Sequence, residues 1–167
     1  ESDGPANTPI IATSAHLQTV SSLTVSDGQF LDPTLTPNTT VIGAQLSIDV
    51  FGTEQSIGKT IDIKGEAFTV IGVLKRTNDP INYNNVDFDS AVLINLESGR
   101  KLNQGASHIQ QINVQSNSVA DLAGVITEIN KALLKTHFGQ ADFTVLSGDK
   151  IAQPTSRIFT AIAGVSV

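Results

Sequence analysis

The sequence pattern of residues 59–74 predicts a β-hairpin. This segment constrains the fold more than any other segment of the chain. Residues 59–64 alternate apolar and polar side chains, as a strand with one buried face does. Gly65-Glu66 then provides a tight turn, and residues 67–74, AFTVIGVL, form a longer apolar run typical of a mostly buried strand. The chain therefore contains antiparallel β-structure.

The segment before this hairpin, FGTEQSIGKT at residues 51–60, ends as a nucleotide-binding P-loop ends, in Gly58-Lys59-Thr60. A P-loop has four residues between its two glycines, whereas five separate Gly52 from Gly58. The extra residue matters because the loop aims successive backbone N–H groups at one phosphate. A P-loop also leads into a helix, and the residues after Thr60 alternate like a strand. The segment is therefore not predicted to bind ATP.

Composition narrows the functional classes. The 167 residues carry a net charge of −6 and no run of Lys or Arg, which argues against a nucleic-acid surface. Cysteine is absent, which removes disulfides, thiolate chemistry and Cys-based zinc sites and is compatible with an extracytoplasmic bacterial domain. Methionine is absent even at position 1, so we expect Glu1 to be a cut or processed end of a longer chain.

The first two thirds of the chain are expected to be rich in strands. Residues 1–7, ESDGPAN, are polar and are expected to be a flexible end. Across residues 8–105 the patterns predict, in order, a strand at 10–13, a helix at 14–21 capped by Ser14, a strand and turn at 23–28, a loop at 32–40, a strand at 40–42, a helix at 44–51 ended by Gly52, the hairpin, a loop at 76–90, a strand at 91–96 and a helical turn near 97–102.

Residues 107–147 predict a strand, a helix and a strand. The helix at 119–138 has the clearest pattern in the chain, with Ser118 and Asp121 as a capping box and Gly139 at its end. Alternating residues predict strands at 107–115 and 142–146, which gives the order of a βαβ-type α/β lobe. The helix carries one apolar stripe, made of Leu122, Val125, Ile126, Ile129 and Leu133.

The last ten residues, IFTAIAGVSV, contain no charge. Rising hydrophobicity at a chain end is typical of a transmembrane helix that has been cut, and also of a core helix at the C-terminus. The pattern alone leaves both alternatives open.

No catalytic constellation is predicted. His16, His108 and His137 lie in three different predicted elements and lack the spacing of metal ligands, so structural roles are favoured for all three. His137 stands at a helix C-terminus, where it suits the helix dipole. No G-x-S-x-G motif of a serine hydrolase occurs.

Two weaker motifs remain. The loop at 76–90 offers oxygen ligands that calcium could use, but it lacks the spacing and central glycine of an EF-hand, and a solvated turn is the favoured interpretation. Its candidate ligands are Asp79, Asn82, Asn84, Asp87 and Asp89. Asn38-Thr39-Thr40 is a formal N-glycosylation sequon, a pattern that is common by chance. We therefore predict no catalytic, cofactor-binding or metal-binding residue.

A longer segment, residues 41–76, carries a series of blocks whose order and spacing are specific. The blocks are Val41-Ile42-Gly43, Phe51-Gly52, Ile57-Gly58-Lys59-Thr60-Ile61, Gly65 and Phe68-Thr69-Val70-Ile71-Gly72-Val73-Leu74. In this respect the chain resembles the MacB-like periplasmic core domain of ABC-transporter permeases of the MacB/FtsX/LolC-E type.

Other parts of the chain agree with this resemblance, which covers residues 8–167. VSDGQF at 25–30 and the apolar strand at 91–96 are similar to family segments, although Asn95 stands where proline is common. The strand–helix–strand order at 107–147 also matches. Family members usually carry one more strand–helix–strand unit before the segment like residues 10–30, and we find none in this sequence.

The resemblance implies an α+β fold with two lobes and a membrane helix. Residues 8–156 would form an extracytoplasmic permease domain, with a strand-rich lobe at 8–105 that holds the hairpin and a strand–helix–strand lobe at 106–148. Residues 157–167 would be the start of a transmembrane helix, which favours the first alternative for the chain's last residues.

The function implied by the resemblance is that of a non-catalytic domain, without cofactors, on the extracytoplasmic face of the cell membrane. It would couple ATP hydrolysis by an ABC ATPase domain or subunit across the membrane to export or mechanotransmission outside it. A second permease copy would complete a dimer, and an adaptor, lipoprotein, peptide or cell-wall hydrolase would be a possible partner.

Two other functions are weighed against this one. A stand-alone extracytoplasmic module that binds a peptide or small ligand would need an apolar groove, and an enzyme would need convergent polar residues. Under all three, the motif glycines Gly43, Gly52, Gly58, Gly65 and Gly72 are expected to have structural roles. Gly52 suits a helix end and Gly65 a hairpin turn, both with positive φ.

Overall fold

The structure is a computed structural model that describes residues 2–3, 8–32, 34, 38–76, 86–106 and 108–147. The strands are β1 (Ser2–Asp3), β2 (Ile10–Thr13), β3 (Val25–Gly28), β4 (Thr39–Ile42), β5 (Thr60–Ile63), β6 (Glu66–Leu74) and β7 (Val92–Asn95), and the α-helices are α1 (Leu17–Val20), α2 (Ala44–Phe51), α3 (Leu96–Leu102) and α4 (Leu122–Thr136). A 3₁₀ turn spans Phe88–Ser90. The mixture of one sheet and several helices confirms the predicted α+β class.

The chain divides into two compact units, which we call the sheet unit (Glu1–Val114) and the helix unit (Gln115–Val167). The described part of the sheet unit holds all seven strands and α1 to α3. The described part of the helix unit holds α4.

The sheet is mixed and has β4 near its centre. Its strand order is β1-β5-β6-β4-β7-β2, and β3 pairs with the C-terminal half of β6. Strand β4 is parallel to β6 and antiparallel to β7, with Val41 opposite Leu93. All four residues of β4 are buried, so neighbouring strands flank it and side chains cover both of its faces.

Buried side chains pack on both faces of the sheet. Val41 and Leu93 belong to one cluster, whereas Ile42 and Ile94 belong to the other, as expected when successive residues of a strand point to opposite faces. The face that carries Ile42 and Ile94 is covered by side chains of α2 and α3, namely Leu46, Val50, Phe51 and Leu102. The face that carries Val41 and Leu93 is covered by side chains from α1, the segment after β3 and the 3₁₀ turn, namely Leu17, Phe30, Leu31 and Phe88.

The predicted hairpin is confirmed, with a turn one residue earlier than expected. Strands β5 and β6 pair from Thr60↔Thr69 to Ile63↔Glu66, so Glu66 belongs to the ladder. The turn consists of Lys64 (φ 56°) and Gly65 (φ 84°). Positive φ at both central positions is typical of the two-residue turns that match the twist of a hairpin.

The N-terminal elements depart from the sequence prediction in three places. The strand expected at residues 23–25 is found at Val25–Gly28, so Asp27 and Gly28, predicted as a turn, are part of β3. Helix α1 is shorter than residues 14–21, and Ser14 does not cap it, because His16 occupies the N-cap position and makes no side-chain cap bond. Two residues of the segment expected to be a flexible end, Ser2 and Asp3, pair in parallel with β5.

The predicted helix of the second lobe is confirmed as α4, with different bounds. It begins at Leu122 and not at residue 119, because residues 119–121 form a turn. The predicted capping box does not cap α4, because the N-cap is Asp121 and makes no side-chain cap bond; Ser118 Oγ accepts a hydrogen bond from the Asp121 N–H at 3.2 Å in the turn before the helix. At the other end the Gly139 N–H donates to Leu134 O at 2.7 Å with φ 83° at Gly139, so the predicted stop is found.

The strands predicted on either side of this helix, at 107–115 and 142–146, are not formed in the described residues. The ladder of the predicted βαβ-type lobe at 106–148 is therefore absent from that part of the chain. The side chains that would make a buried strand face are exposed, with Ile109 at 71% and Ile112 at 65%. A strand needs a neighbour for its backbone hydrogen bonds, and the apolar alternation by itself provides none.

The predicted start of a transmembrane helix at 157–167 lies outside the described residues. Among the helices of the described ranges, none has the length and hydropathy of a membrane span.

Candidate functional site

The segment that resembles a P-loop is a junction between α2 and β5. Gly52 ends α2 in the left-handed conformation (φ 70°), and its N–H donates to Ile48 O at 2.8 Å. The Gly58 N–H donates to Val70 O at 2.8 Å, so strand β6 uses a donor that a P-loop would direct at phosphate. The Lys59 ammonium lies 5.0 Å from the centroid of the Phe51 ring, in cation–π contact. Lys59 and the Gly58 N–H thus make their contacts within the domain.

A network of buried hydroxyl groups holds this junction together. Ser47 Oγ on α2 donates to Thr53 O at 2.7 Å and lies 2.6 Å from Ser56 Oγ. Ser47 and Ser56 are fully buried. Buried hydroxyls need partners, so the network fixes the path of the loop against the helix. Sequence reasoning missed these residues, because a serine in an amphipathic helix carries no signal of a partner nine positions away.

Exposed contacts connect the end of β6 to the same junction. Arg76 lies 3.7 Å from Glu54 Oε1 and donates to Gln45 Oε1 at 2.9 Å. The side chains of Arg76 and Glu54 are half exposed, so we expect this ion pair to contribute less than about 1 kcal/mol.

Three of the five motif glycines adopt a backbone conformation with positive φ. Gly52, Gly58 and Gly65 have φ of 70°, 79° and 84°, and a Cβ at any of them would meet no atom within 4 Å. Positive φ, and not lack of space, therefore favours glycine at these positions. The prediction of positive φ at Gly52 and Gly65 is confirmed.

The other two motif glycines allow segments to pack closely. A Cβ on Gly43 would lie 2.1 Å from Asp89 O, and a Cβ on Gly72 would lie 2.2 Å from Gln29 O. Both neighbours are backbone atoms, which cannot rotate away as a side-chain end can. Gly43 thus permits contact with the 3₁₀ turn, and Gly72 permits contact with the segment after β3.

Asn95, which stands where the family commonly has proline, has a capping role. Its Oδ1 accepts a hydrogen bond from the Ser98 N–H at 2.7 Å at the start of α3. The departure from the family pattern therefore comes with a favourable helix N-cap.

The three histidines occupy separate places in the chain. His16 is at the N-cap of α1, and His108 is exposed after α3. His137 is at the C-cap of α4, with its Nδ1 2.5 Å from Asp142 Oδ1 and its ring in edge contact with Phe143. No group of three or more His, Cys, Asp or Glu residues that could hold a metal occurs in the described ranges.

The Asn/Asp-rich loop falls mostly outside the described residues, which exclude Asp79, Asn82 and Asn84. Of its other two candidates, Asp87 caps the 3₁₀ turn: its Oδ1 accepts from the Asp89 N–H at 3.0 Å and its Oδ2 from Ser90 Oγ at 2.7 Å. Both carboxylate oxygens of Asp87 thus serve the local turn, as in the solvated-turn interpretation.

Asp32, in the loop before β4, also accepts hydrogen bonds from a residue close to it in the sequence. The Thr34 hydroxyl and the Thr34 N–H both donate to Asp32 Oδ1, at 2.7 and 2.8 Å. These two hydrogen bonds favour the ionised carboxyl and lower the pKa of Asp32.

Helix α4 presents an apolar face that is only partly covered. The five residues of its predicted stripe are half-buried, and α4 has no fully buried residue. A shallow groove of about 680 Å³ runs along the helix and is lined by Ala120, Asp121, Gly124, Val125, Glu128, Ile129 and Ala132. Among the described residues, one helix and the turn before it provide this lining, so they would contact a small ligand on one side only, unlike the residues of an enclosed pocket.

Comparison with known proteins gives the same family as the sequence resemblance. The family model of the MacB-like periplasmic core domain matches residues 1–132. An uncharacterized ABC transporter permease of Methanocaldococcus jannaschii is 32% identical over 124 residues, which are 73% of this chain and 29% of the relative. The macrolide export ATP-binding/permease protein MacB of Wolinella succinogenes is 25% identical over 142 residues, 83% of this chain and 22% of the relative. The chain thus spans less than a third of the length of either relative.

Two solved structures share the fold. The periplasmic region of MacB from Actinobacillus actinomycetemcomitans superposes with a TM-score of 0.68 at 18% identity, covering 88% of this chain and 64% of the other. The extracellular domain of the noncanonic ABC-type transporter YknZ from Gram-positive bacteria gives a TM-score of 0.63 at 19% identity, covering 83% and 69%. Because the family model matches residues 1–132, which are most of this chain, the chain belongs to the MacB-like periplasmic core domain family.

Proposed function

We propose that this chain is the extracytoplasmic domain of an ABC-transporter permease and acts as a non-catalytic moving body. The family match over residues 1–132 supports placement on the extracytoplasmic face of a cell membrane. The permease relatives support a transport function for the whole protein, of which this chain is one part.

The observation that carries the mechanical part of this proposal is the packing of the sheet unit. Apolar clusters fill both faces of the sheet. Among the described residues, every buried side-chain nitrogen or oxygen has a hydrogen-bond partner. A close-packed body of this kind transmits a displacement and does not absorb it, because its interior has low compressibility.

The source of the displacement is an ABC ATPase domain or subunit on the other side of the membrane. The junction at residues 52–60 supports this division of labour, since the Lys59 ammonium and the Gly58 N–H already have partners within the domain. The connection to the membrane would run through a transmembrane helix that begins at residues 157–167.

The outer partners follow from the same proposal. A second permease copy would complete a dimer, and the domain would act on an adaptor, a lipoprotein, a peptide or a cell-wall hydrolase. ATP-driven movement of this domain would then perform export or mechanotransmission.

The movement can be tested by distance measurements between spin labels in the full-length permease with its ATPase. The chain contains no cysteine, so Glu66→Cys would carry the only label in this domain, with one label in each of the two permease copies. Glu66 is exposed and lies in the sheet unit, so the distance between the two labels reports how this domain moves relative to the second copy. We expect the distance distribution to change between the nucleotide-free and ATP-bound states.

A control pair, Glu66→Cys and Lys101→Cys, lies within the sheet unit and should give one unchanged distance in both states. If the distance between the Glu66→Cys labels of the two copies stays unchanged while ATP binding is verified, this domain does not undergo the proposed movement.

A further inference from the structure

The sequon Asn38-Thr39-Thr40 is a motif that the proposed function does not use. It is the only Asn-x-Ser/Thr sequence in the chain. Asn38 is exposed and lies in the turn directly before β4, where its carbonyl accepts a hydrogen bond from the Thr69 N–H at 3.0 Å. An exposed asparagine at a turn leaves space for a large hydrophilic substituent, and a surface position is what a glycosylation acceptor requires.

The third residue of the sequon has the opposite environment. Thr40 is fully buried, and its Oγ1 donates to Leu93 O at 2.9 Å. The sequon requires a hydroxyl at this position, so the enzyme that recognises the motif must reach Thr40. In the folded domain it cannot, because β4 lies between β6 and β7.

The order of the chain provides a period in which Thr40 is accessible. Its hydrogen-bond partner Leu93 follows 53 residues later, and β6 and β7 both follow β4 in the sequence. At about 5–20 residues per second of synthesis, an N-terminal segment waits several seconds for partners that are 53 residues away. During that time the sequon is in an unpaired segment.

From these observations we infer that Asn38 is an acceptor for an N-linked oligosaccharide and that it is modified only before β4 joins the sheet. The co-substrate is an oligosaccharide linked through phosphate to a membrane lipid. Asn38 Nδ2 bonds to the anomeric carbon, the bond from that carbon to the phosphate oxygen breaks, and the lipid phosphate leaves with the bonding pair. The amide proton passes to a base of the transferase. The inference depends on extracytoplasmic placement and not on ATP-driven movement.

Occupancy of the site is tested on the full-length protein purified from the membranes of its own organism. Mass spectrometry should find a glycan on the peptide that contains Asn38. Asn38→Gln should remove the modification completely, and Thr40→Ser, which keeps the hydroxyl, should retain it. An unmodified Asn38 in all copies of the native protein would overturn the inference.

The timing is tested by synthesising the full-length protein into membrane vesicles that contain an oligosaccharyltransferase. The lipid-linked oligosaccharide is supplied either from the start or only after synthesis has finished. We expect modification at least tenfold greater when the donor is present from the start. Equal modification under the two conditions would overturn the timing, and no modification under either would overturn the assignment of Asn38 as an acceptor.

Discussion

Helices α2 and α4 show how differently the two units of this chain use an apolar pattern. Helix α2 belongs to the sheet unit, has eight residues, and buries Ala44, Leu46 and Ser47. Helix α4 has fifteen residues and the clearest sequence pattern in the chain, yet none of its residues is buried. An apolar stripe therefore predicts that a helix forms, whereas burial depends on what the chain provides to cover that stripe.

This difference has an energetic consequence. In the sheet unit, stability comes from side chains packed on both faces of a sheet. An isolated helix of fifteen residues is marginal in water, so α4 depends on its local turns and on partial cover. Substitutions of similar chemistry should thus have unequal effects in the two units.

The largest effect is expected from truncating an apolar side chain in the sheet unit. Ile94 is fully buried, and Ile94→Ala should lower the free energy of unfolding by about 2–5 kcal/mol, because it removes apolar burial and leaves a cavity. The matched change in the helix unit, Ile129→Ala, should cost less than about 1.5 kcal/mol, since Ile129 is only half-buried. Urea unfolding followed by circular dichroism measures both. Equal losses would remove the proposed difference between the units.

Replacing a glycine by alanine should destabilise the sheet unit and stabilise the helix unit. In Gly72→Ala the new Cβ would lie 2.2 Å from Gln29 O, and the resulting backbone displacement should destabilise the domain by about 2–4 kcal/mol. Gly124 lies within α4, and a Cβ added there would meet no atom within 4 Å. The higher helix propensity of alanine in Gly124→Ala should therefore stabilise the helix by about 0.5–1 kcal/mol. Thermal melting of the two variants provides the comparison. A neutral Gly72→Ala would show that the close approach is not required.

The hydroxyl network at the α2 junction should give a smaller loss. Ser47→Ala removes the donor to Thr53 O and one partner of buried Ser56, which should cost about 1–3 kcal/mol. Because each single variant removes the same hydrogen bond between Ser47 and Ser56, the double variant Ser47→Ala/Ser56→Ala should cost less than the sum of the two single variants. Additive losses, measured by urea unfolding, would show that the two hydroxyls act independently.

The smallest loss is expected at the hairpin turn. Gly65 has φ 84°, so Gly65→Val should lower the melting temperature by an amount that corresponds to about 1–2 kcal/mol. Gly65→Asn should be milder, because asparagine tolerates the left-handed region better than a β-branched residue. A Gly65→Val variant that melts at the wild-type temperature would contradict the required positive φ.

The sequence predicts local features well and pairwise contacts poorly. Gly52 and the hairpin follow from patterns within a few residues, and both are found in the structure. The role of Gly72 depends on Gln29, more than forty positions away, and no local pattern contains that distance. The strand predicted at 107–115 has the right alternation, but pairing needs a neighbour that its own residues do not specify.

The candidate site follows the same rule. The P-loop alternative could be rejected from residue spacing alone, whereas the buried pair Ser47 and Ser56 became visible only in the structure. The sequon at Asn38 can be read directly from the sequence. The burial of Thr40 cannot, because it depends on strands that come later in the chain.

Native-state hydrogen exchange of this chain tests the difference between the two units most directly. The amides of Val70 and Leu93, in the centre of the sheet, should exchange only through global unfolding. The amides of Ile129 and Leu133 on α4 should exchange through local opening that costs at least about 2 kcal/mol less. Equal exchange free energies for the sheet and for α4 would show that the two unfold as one cooperative body, and would contradict the account of a fully packed sheet unit and a partly covered helix α4.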